Sequence, residues 1–276
     1  MHLLLAGVLS AGAMGQVGSA PQAADVPPGP PAAVDIDSYC HTLLQNDPHA
    51  EPLQKACISS LRNSQTMPNY LCEMNVMKRG GGELMQQVAT RVRVIDGIDS
   101  YEDLKIDGKR TRNQSALLKG NWSNGELRLK LLAVFKPGSQ PRIHFLRETK
   151  FGNMDTYEFS YAVASENNSV WPWTFDGKTT YPGYEGTLVV AKSDGHILQL
   201  VLRVTEGIPK EFPVVFLESA TEFSYVDFKD GTGLMLPFHV LIRTTMRSTL
   251  GIRHEITFKH CKKFAATSKI LPIPAE

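Results

Sequence analysis

Asp-Gly occurs five times in this chain, at Asp96-Gly97, Asp107-Gly108, Asp176-Gly177, Asp194-Gly195 and Asp230-Gly231. No other feature narrows the fold as much. The dipeptide readily supplies the positive φ angles of a tight hairpin turn. Each copy lies between apolar and β-branched runs, so the chain should reverse repeatedly and build an antiparallel meander. The clearest hairpin joins Gly186–Lys192 to His196–Thr205, with Leu198, Leu200, Leu202 and Val204 alternating on one face. Further strands are expected over 69–79, 83–96, 101–106, 142–148, 155–164, 211–229, 234–247 and 251–264, with a turn at Gly80-Gly81-Gly82. Pro209, Pro213 and Pro237 belong at sheet edges or strand starts. In the last strand Ile252, His254, Ile256, Phe258 and His260 should share a face.

Helical spacing appears twice. Residues 35–63 read as two short antiparallel helices, the first capped by Asp35 or Asp37 and broken at Asn46-Asp47-Pro48. Pro52 suits the first turn of the second, which carries Leu53, Ala56, Cys57 and Leu61. Later, Ser123-Asn124-Gly125-Glu126 has the form of a capping box ahead of Leu127, Leu131, Val134 and Phe135, and Pro137-Gly138 ends that helix. The helix should lie across one face of the sheet. The expected class is therefore mainly β (α+β): a curved antiparallel sheet or half-barrel with an inserted helix and an N-terminal helical hairpin.

The N-terminus reads as an export signal. Leu3 to Met14 is apolar, uncharged and too short to span a bilayer, and Gly18 and Ala20 suit cleavage after Ala20. Pro21 to Ala33, rich in Pro and Ala, reads as a tether. The expected organisation is a signal peptide over 1–20, a linker over 21–34, the helical hairpin over 35–66 and the half-barrel over 67–272. No later segment approaches transmembrane length, so a soluble protein of the periplasm or cell exterior is expected.

Four cysteines remain, Cys40, Cys57, Cys72 and Cys261. In an exported chain an even count suggests two disulfides, with three pairings open. The helical hairpin favours Cys40–Cys57. Neighbouring first and last strands would join Cys72 to Cys261. Zinc is disfavoured, because no Cys-x-x-Cys spacing occurs.

The chain carries 29 Lys and Arg against 28 Asp and Glu, without long runs of one sign. That balance gives no attraction to nucleic acid. Gly-x-Ser-x-Gly, His-Glu-x-x-His and P-loop patterns are lacking. His239, His254 and His260 fall on late strands without ligand spacing, and Asp99, Glu102 and Asp103 cluster on what reads as a solvated turn. No catalytic residue, metal or cofactor is expected. Val170-Trp171-Pro172-Trp173-Thr174-Phe175 stands out instead, because two Trp around a Pro cannot follow a regular ladder. Trp122, Trp171, Trp173 and Phe175 are the candidates to line an apolar site, against the plainer reading that they complete the core.

Met67-Pro68-Asn69-Tyr70-Leu71-Cys72, the Ser123–Glu126 helix start, Tyr184-Glu185-Gly186 and Ile208-Pro209-Lys210-Glu211-Phe212-Pro213 resemble segments of uncharacterised exported proteins of acidobacterial type. The layout is similar to the half-barrel of the LolA, LolB and RseB group of lipoprotein-sorting and sigma-regulatory proteins. The resemblance implies an envelope setting and a lipid or lipoprotein ligand, and supplies no catalytic residue. Two functions stay open: a binding protein holding a lipid, acyl chain or apolar peptide, and a non-enzymatic domain with a filled core that meets another envelope protein. The sequence leaves the oligomeric state open.

Overall fold

Reversal after almost every strand gives an open, curved antiparallel sheet. The structure is a computed structural model that describes residues 35–95, 98–111, 129–175, 178–228, 231, 233–248 and 251–264. The strands are β1 Tyr70–Gly80, β2 Glu83–Ile95, β3 Ile98–Ile106, β4 Lys109–Arg110, β5 Arg142–Phe151, β6 Met154–Val163, β7 Trp173–Phe175, β8 Lys178–Thr180, β9 Gly183–Ala191, β10 Ile197–Glu206, β11 Val214–Asp227, β12 Gly233–Met246 and β13 Gly251–Lys263. The main sheet has the order β4-β3-β2-β1-β13-β12-β11-β10-β9-β6-β5, and β7 and β8 form a separate pair. The first long strand thus lies beside the last, and Cys72 is bonded to Cys261 across a sequence separation of 189.

Turn chemistry explains the reversals. Asp107 and Gly108 take φ of 49° and 79° between β3 and β4, and Gly195 takes 76° between β9 and β10. Asp96-Gly97 and Asp176-Gly177 lie outside the described residues, as does Asp230. One proline departs from the expected placement. Pro237 sits inside β12, an interior strand, where the register with β11 shifts between Glu222 and Phe223. An irregularity of that kind tolerates the missing N–H.

The helices are α1 Ile36–Thr42, α2 Ala50–Thr66 and α3 Leu129–Phe135. Asp35 caps α1, its Oδ1 accepting from the backbone N–H of Asp37 and Ser38. The Cys40–Cys57 disulfide ties α1 to α2. The expected Ser123–Glu126 helix start lies outside the described residues. α3 itself is held to the sheet by Tyr184, whose buried hydroxyl donates to the Ala133 carbonyl at 2.6 Å.

Alternation puts one side of the sheet into the core. A row of cross-strand neighbours runs Val76, Ile256, Val240, Thr221, Leu200, Leu188 and Phe159 across the strands, all buried. The core has two parts. In one, Cys40, Leu53, Ala56, Cys57 and Leu61 of α1 and α2, with Ala133 to Phe135 of α3, pack on β5, β6, β9, β10 and Phe223. The other gathers Tyr70, Met74, Val92, Leu236, Val240, Ile256 and Phe258. The helical hairpin therefore shares its core with the sheet.

Candidate functional site

A cavity of about 150 Å³ lies beside α2 at a seam whose lining residues come from both core parts. Its apolar walls are Leu131 of α3, Ile197 of β10, Phe223 of β11, Leu234 and Met235 of β12, and Met67 just after α2. α2 supplies a polar side: Ser59, Ser60, Asn63 and Ser64. Ser60 and Ser64 follow Leu53, Ala56 and Cys57 at four- and seven-residue spacing, so they continue the buried face of α2 toward the helix end, with Ser59 and Asn63 at its edge.

Two aromatic rings form the lip. Tyr225 is 54 % exposed and stacks on His196, ring centroids 5.3 Å apart. The Tyr225 ring lies across the start of β12 because Gly233 has no side chain: a Cβ there would stand 1.7 Å from the Tyr225 hydroxyl. The β9–β10 turn touches α2 as closely. A Cβ on Gly195 would stand 2.6 Å from Lys55 Cβ and 2.7 Å from the Pro52 carbonyl oxygen, at a φ that disfavours side chains. The close approach of that turn sets α2 over the seam.

The polar side chains are neutral and their donors are largely spent. Ser59 and Ser60 donate to the Ala56 carbonyl, at 3.1 and 2.7 Å, and Ser64 donates to the Leu61 carbonyl at 2.6 Å. His196 lies 3.3 Å from Asp194 through Nδ1, but the serines bond back into their own helix and so are not poised as nucleophiles.

The tryptophans lie elsewhere. Trp171 packs edge-to-face against Trp173 at 5.5 Å and against Tyr184 at 5.9 Å, and it borders the helix-covered core. Buried Asn168 pins their loop: its Oδ1 accepts from Val170 and Trp171, and its Nδ2 donates to the Trp171 and Pro182 carbonyls. Trp171 and Trp173 do not line the cavity at the seam. Trp122 and the Phe175 side chain lie outside the described residues.

The three late histidines do not converge. His254 is buried with neither ring nitrogen hydrogen-bonded, and desolvation, aided by the nearby Lys78, pushes its pKa down to about 4. His260 leaves that face. The β1–β13 register shifts between Leu71 and Glu73, His260 takes φ 51°, and its ring meets Glu73 at 2.9 Å in solvent. His239 stands on the opposite face from Val240, 3.4 Å from both Glu222 and Glu255. Two carboxylates of β3 are paired with arginines, Asp103 with Arg91 and Arg110 and Glu102 with Arg93. The Arg91 hydrogen bond, above all, holds the Asp103 carboxyl below its ordinary value. Among the described residues no group of three or more His, Cys, Asp and Glu is placed to hold a metal ion.

The sequence reading missed the residues that line the seam. Ser59-Ser60 and Asn63-Ser64 at helical spacing, and Phe223 two residues before Tyr225, are the signals that could have marked them.

No protein-family model matches this chain, and no curated protein matches it in sequence. Among solved structures, a LolA superfamily protein of Nitrosomonas europaea is similar at 11 % identity over 79 % of this chain and 94 % of that one, with a TM-score of 0.38. A DUF1329 family protein of Desulfovibrio piger is similar at 12 % identity over 79 % and 95 %, with a TM-score of 0.39. The Mycobacterium tuberculosis lipoprotein LppX is similar at 8 % identity over 74 % and 92 %, with a TM-score of 0.28.

Proposed function

We propose that this chain is an exported binding protein of the cell envelope that holds the apolar end of a lipid, acyl chain or peptide and performs no chemistry of its own. The observation that carries the reading is the seam cavity, with apolar walls from three strands and α3 and a partly open aromatic lip. An apolar cavity of this volume holds a group about the size of one benzene ring, so it takes one chain end, not a whole lipid. Export is supported by two disulfides, which persist in oxidising compartments. The absence of chemistry is supported by the arginine-paired carboxylates and spent serine donors described above.

The test titrates benzene, a probe of the cavity's own size, into wild type and into Met235→Trp, which fills the cavity from its wall, and follows the Met67 methyl resonance. Saturable one-to-one binding in wild type, lost in the variant at an unchanged melting temperature, is the expected result. Equal binding by both proteins, or none by either, overturns the reading. One observation favours the filled-core interaction domain as second reading: own side chains occupy both parts of the core. A clean apoprotein mass under native ionisation, with no titratable probe site, would move the function to that domain.

A further inference from the structure

The outer face of the sheet carries a row of charges that changes character partway along. Arg203 of β10, Glu218 of β11, Arg243 of β12, Arg253 of β13 and Arg79 of β1 are direct cross-strand partners, one after the next. They stand away from the core, because their chain neighbours Ser219, Ile242 and Ile252 are buried. As far as Arg243 the row is neutralised: Glu218 lies 2.8 Å from Arg203 and 3.0 Å from Arg243. From Arg243 onward three arginines stand in succession. Direct partners bring their Cβ atoms to about 5 Å, where like charges repel. The acid beside Arg253 is Glu255 at 3.4 Å, and that carboxylate also faces His239. Arg79 makes no ion pair or hydrogen bond among the described residues. The row then ends on apolar side chains. The β1–β2 pairing steps from Lys78–Gln86 to Arg79–Leu84, which leaves Met85 as an extra residue beside Leu84. Leu84 and Met85 are 52 % and 51 % exposed.

A soluble anion needs only the arginines, and an acidic protein does not call for two bared aliphatic side chains beside them. An anionic bilayer takes both: its phosphates accept from the guanidinium forks, and the edge of its hydrocarbon receives the aliphatic groups. We propose that Arg79, Arg253, Arg243, Leu84 and Met85 dock this protein on the surface of an anionic phospholipid membrane. Docking relieves the repulsion within the row. The balanced net charge of the chain does not oppose it, because salt confines the attraction to charges within about 10 Å of the surface. The patch is also independent of the cavity: Tyr225 and Gly233 of the lip lie toward the opposite ends of β11 and β12 from Glu218 and Arg243.

The experiment sediments the protein with vesicles of phosphatidylglycerol and phosphatidylcholine in equal parts, and with vesicles of phosphatidylcholine alone, at about 0.1 M salt. Wild type should pellet with the anionic vesicles only and be released as salt rises. Arg79→Gln with Arg253→Gln should weaken that binding about tenfold or more, the loss expected from two basic side chains at a charged surface. Its melting temperature should not fall, because the row loses its repulsion. Leu84→Ser with Met85→Ser should weaken the binding by about the same factor at an unchanged melting temperature. Equal pelleting with neutral vesicles, or anionic binding untouched by the arginine variant, overturns the proposal. Failure to pellet with either vesicle overturns it too. Calorimetric binding of inorganic phosphate or polyglutamate, lost in the arginine variant, would then give the row to a soluble anion or an acidic protein.

Discussion

His254 occupies a place in β13 where its neighbours are Ile252 and Ile256, and it shows what one misfit side chain costs. Its ring is buried, and both nitrogens lack a partner. At neutral pH the ring is uncharged in the fold, with a pKa of about 4 against an ordinary 6.5. Between those values the unfolded chain binds a proton that the folded chain refuses. Stability from this group is therefore whole above about pH 6.5 and is lost as pH falls toward about 4, by about 3 kcal/mol in all. His254→Leu removes both the orphan nitrogens and the proton linkage. Urea denaturation should show the variant more stable at pH 7 by about 1–2 kcal/mol. Its advantage should widen at pH 4.5; an unchanged pH profile would mean that the acid loss arises elsewhere.

At the scale of elements, the docking of α2 decides whether the seam exists. Gly195 lets the β9–β10 turn touch the α2 backbone, so Gly195→Ala should push the helix off and cost about 2 kcal/mol through strain and overpacking. The same variant should weaken probe binding, and a Met67 methyl resonance unchanged from wild type would contradict this account. The two disulfides act on different lengths of chain. Cys40–Cys57 spans 17 residues and Cys72–Cys261 spans 189. Loop-closure entropy then assigns about 3 kcal/mol to the first and about 5 kcal/mol to the second. Paired Cys→Ala variants compared by urea denaturation should keep that order. A larger loss from the α1–α2 bond would show that helix docking, not chain closure, dominates.

For the whole molecule, the helices share one core part with β5, β6, β9 and β10, and the same hydrogen-bonded sheet runs on through the second part, so helices and sheet should melt together. Leu53 of α2 is fully buried against the strands. Leu53→Ala should cost about 3 kcal/mol, as a large-to-small change in a well-packed core does. Far-ultraviolet ellipticity and tryptophan fluorescence should then shift to the same lower urea midpoint. Separate midpoints would mean that the helical hairpin unfolds on its own.

What the sequence determined by itself is local. Asp107-Gly108 and the turn before Gly195 reverse the chain because their φ angles suit few other residues. Asp35 caps α1 through a side chain three residues or fewer from its donors. The alternation of Leu198 to Val204 is a property of the strand alone, and it was enough to orient the face. The meander also makes the nearness of β1 and β13 a reasonable inference, and with it the Cys72–Cys261 bond. Features that depend on two distant segments were decided only by the tertiary structure. His260 breaks the alternation because a register shift between β1 and β13 turns it outward, and no pattern within β13 records that shift. Pro237 enters an interior strand because its partner β11 is irregular there. The aromatic run at 170–175 drew attention by composition, yet Asn168 ties Trp171 into the core edge. The cavity is assembled instead from residues 59–67, 131, 196–197 and 223–235, whose meeting depends on where α2 comes to rest. Periodicity is written in neighbouring residues, whereas a cavity is the gap left when separate elements pack, and only packing can place it.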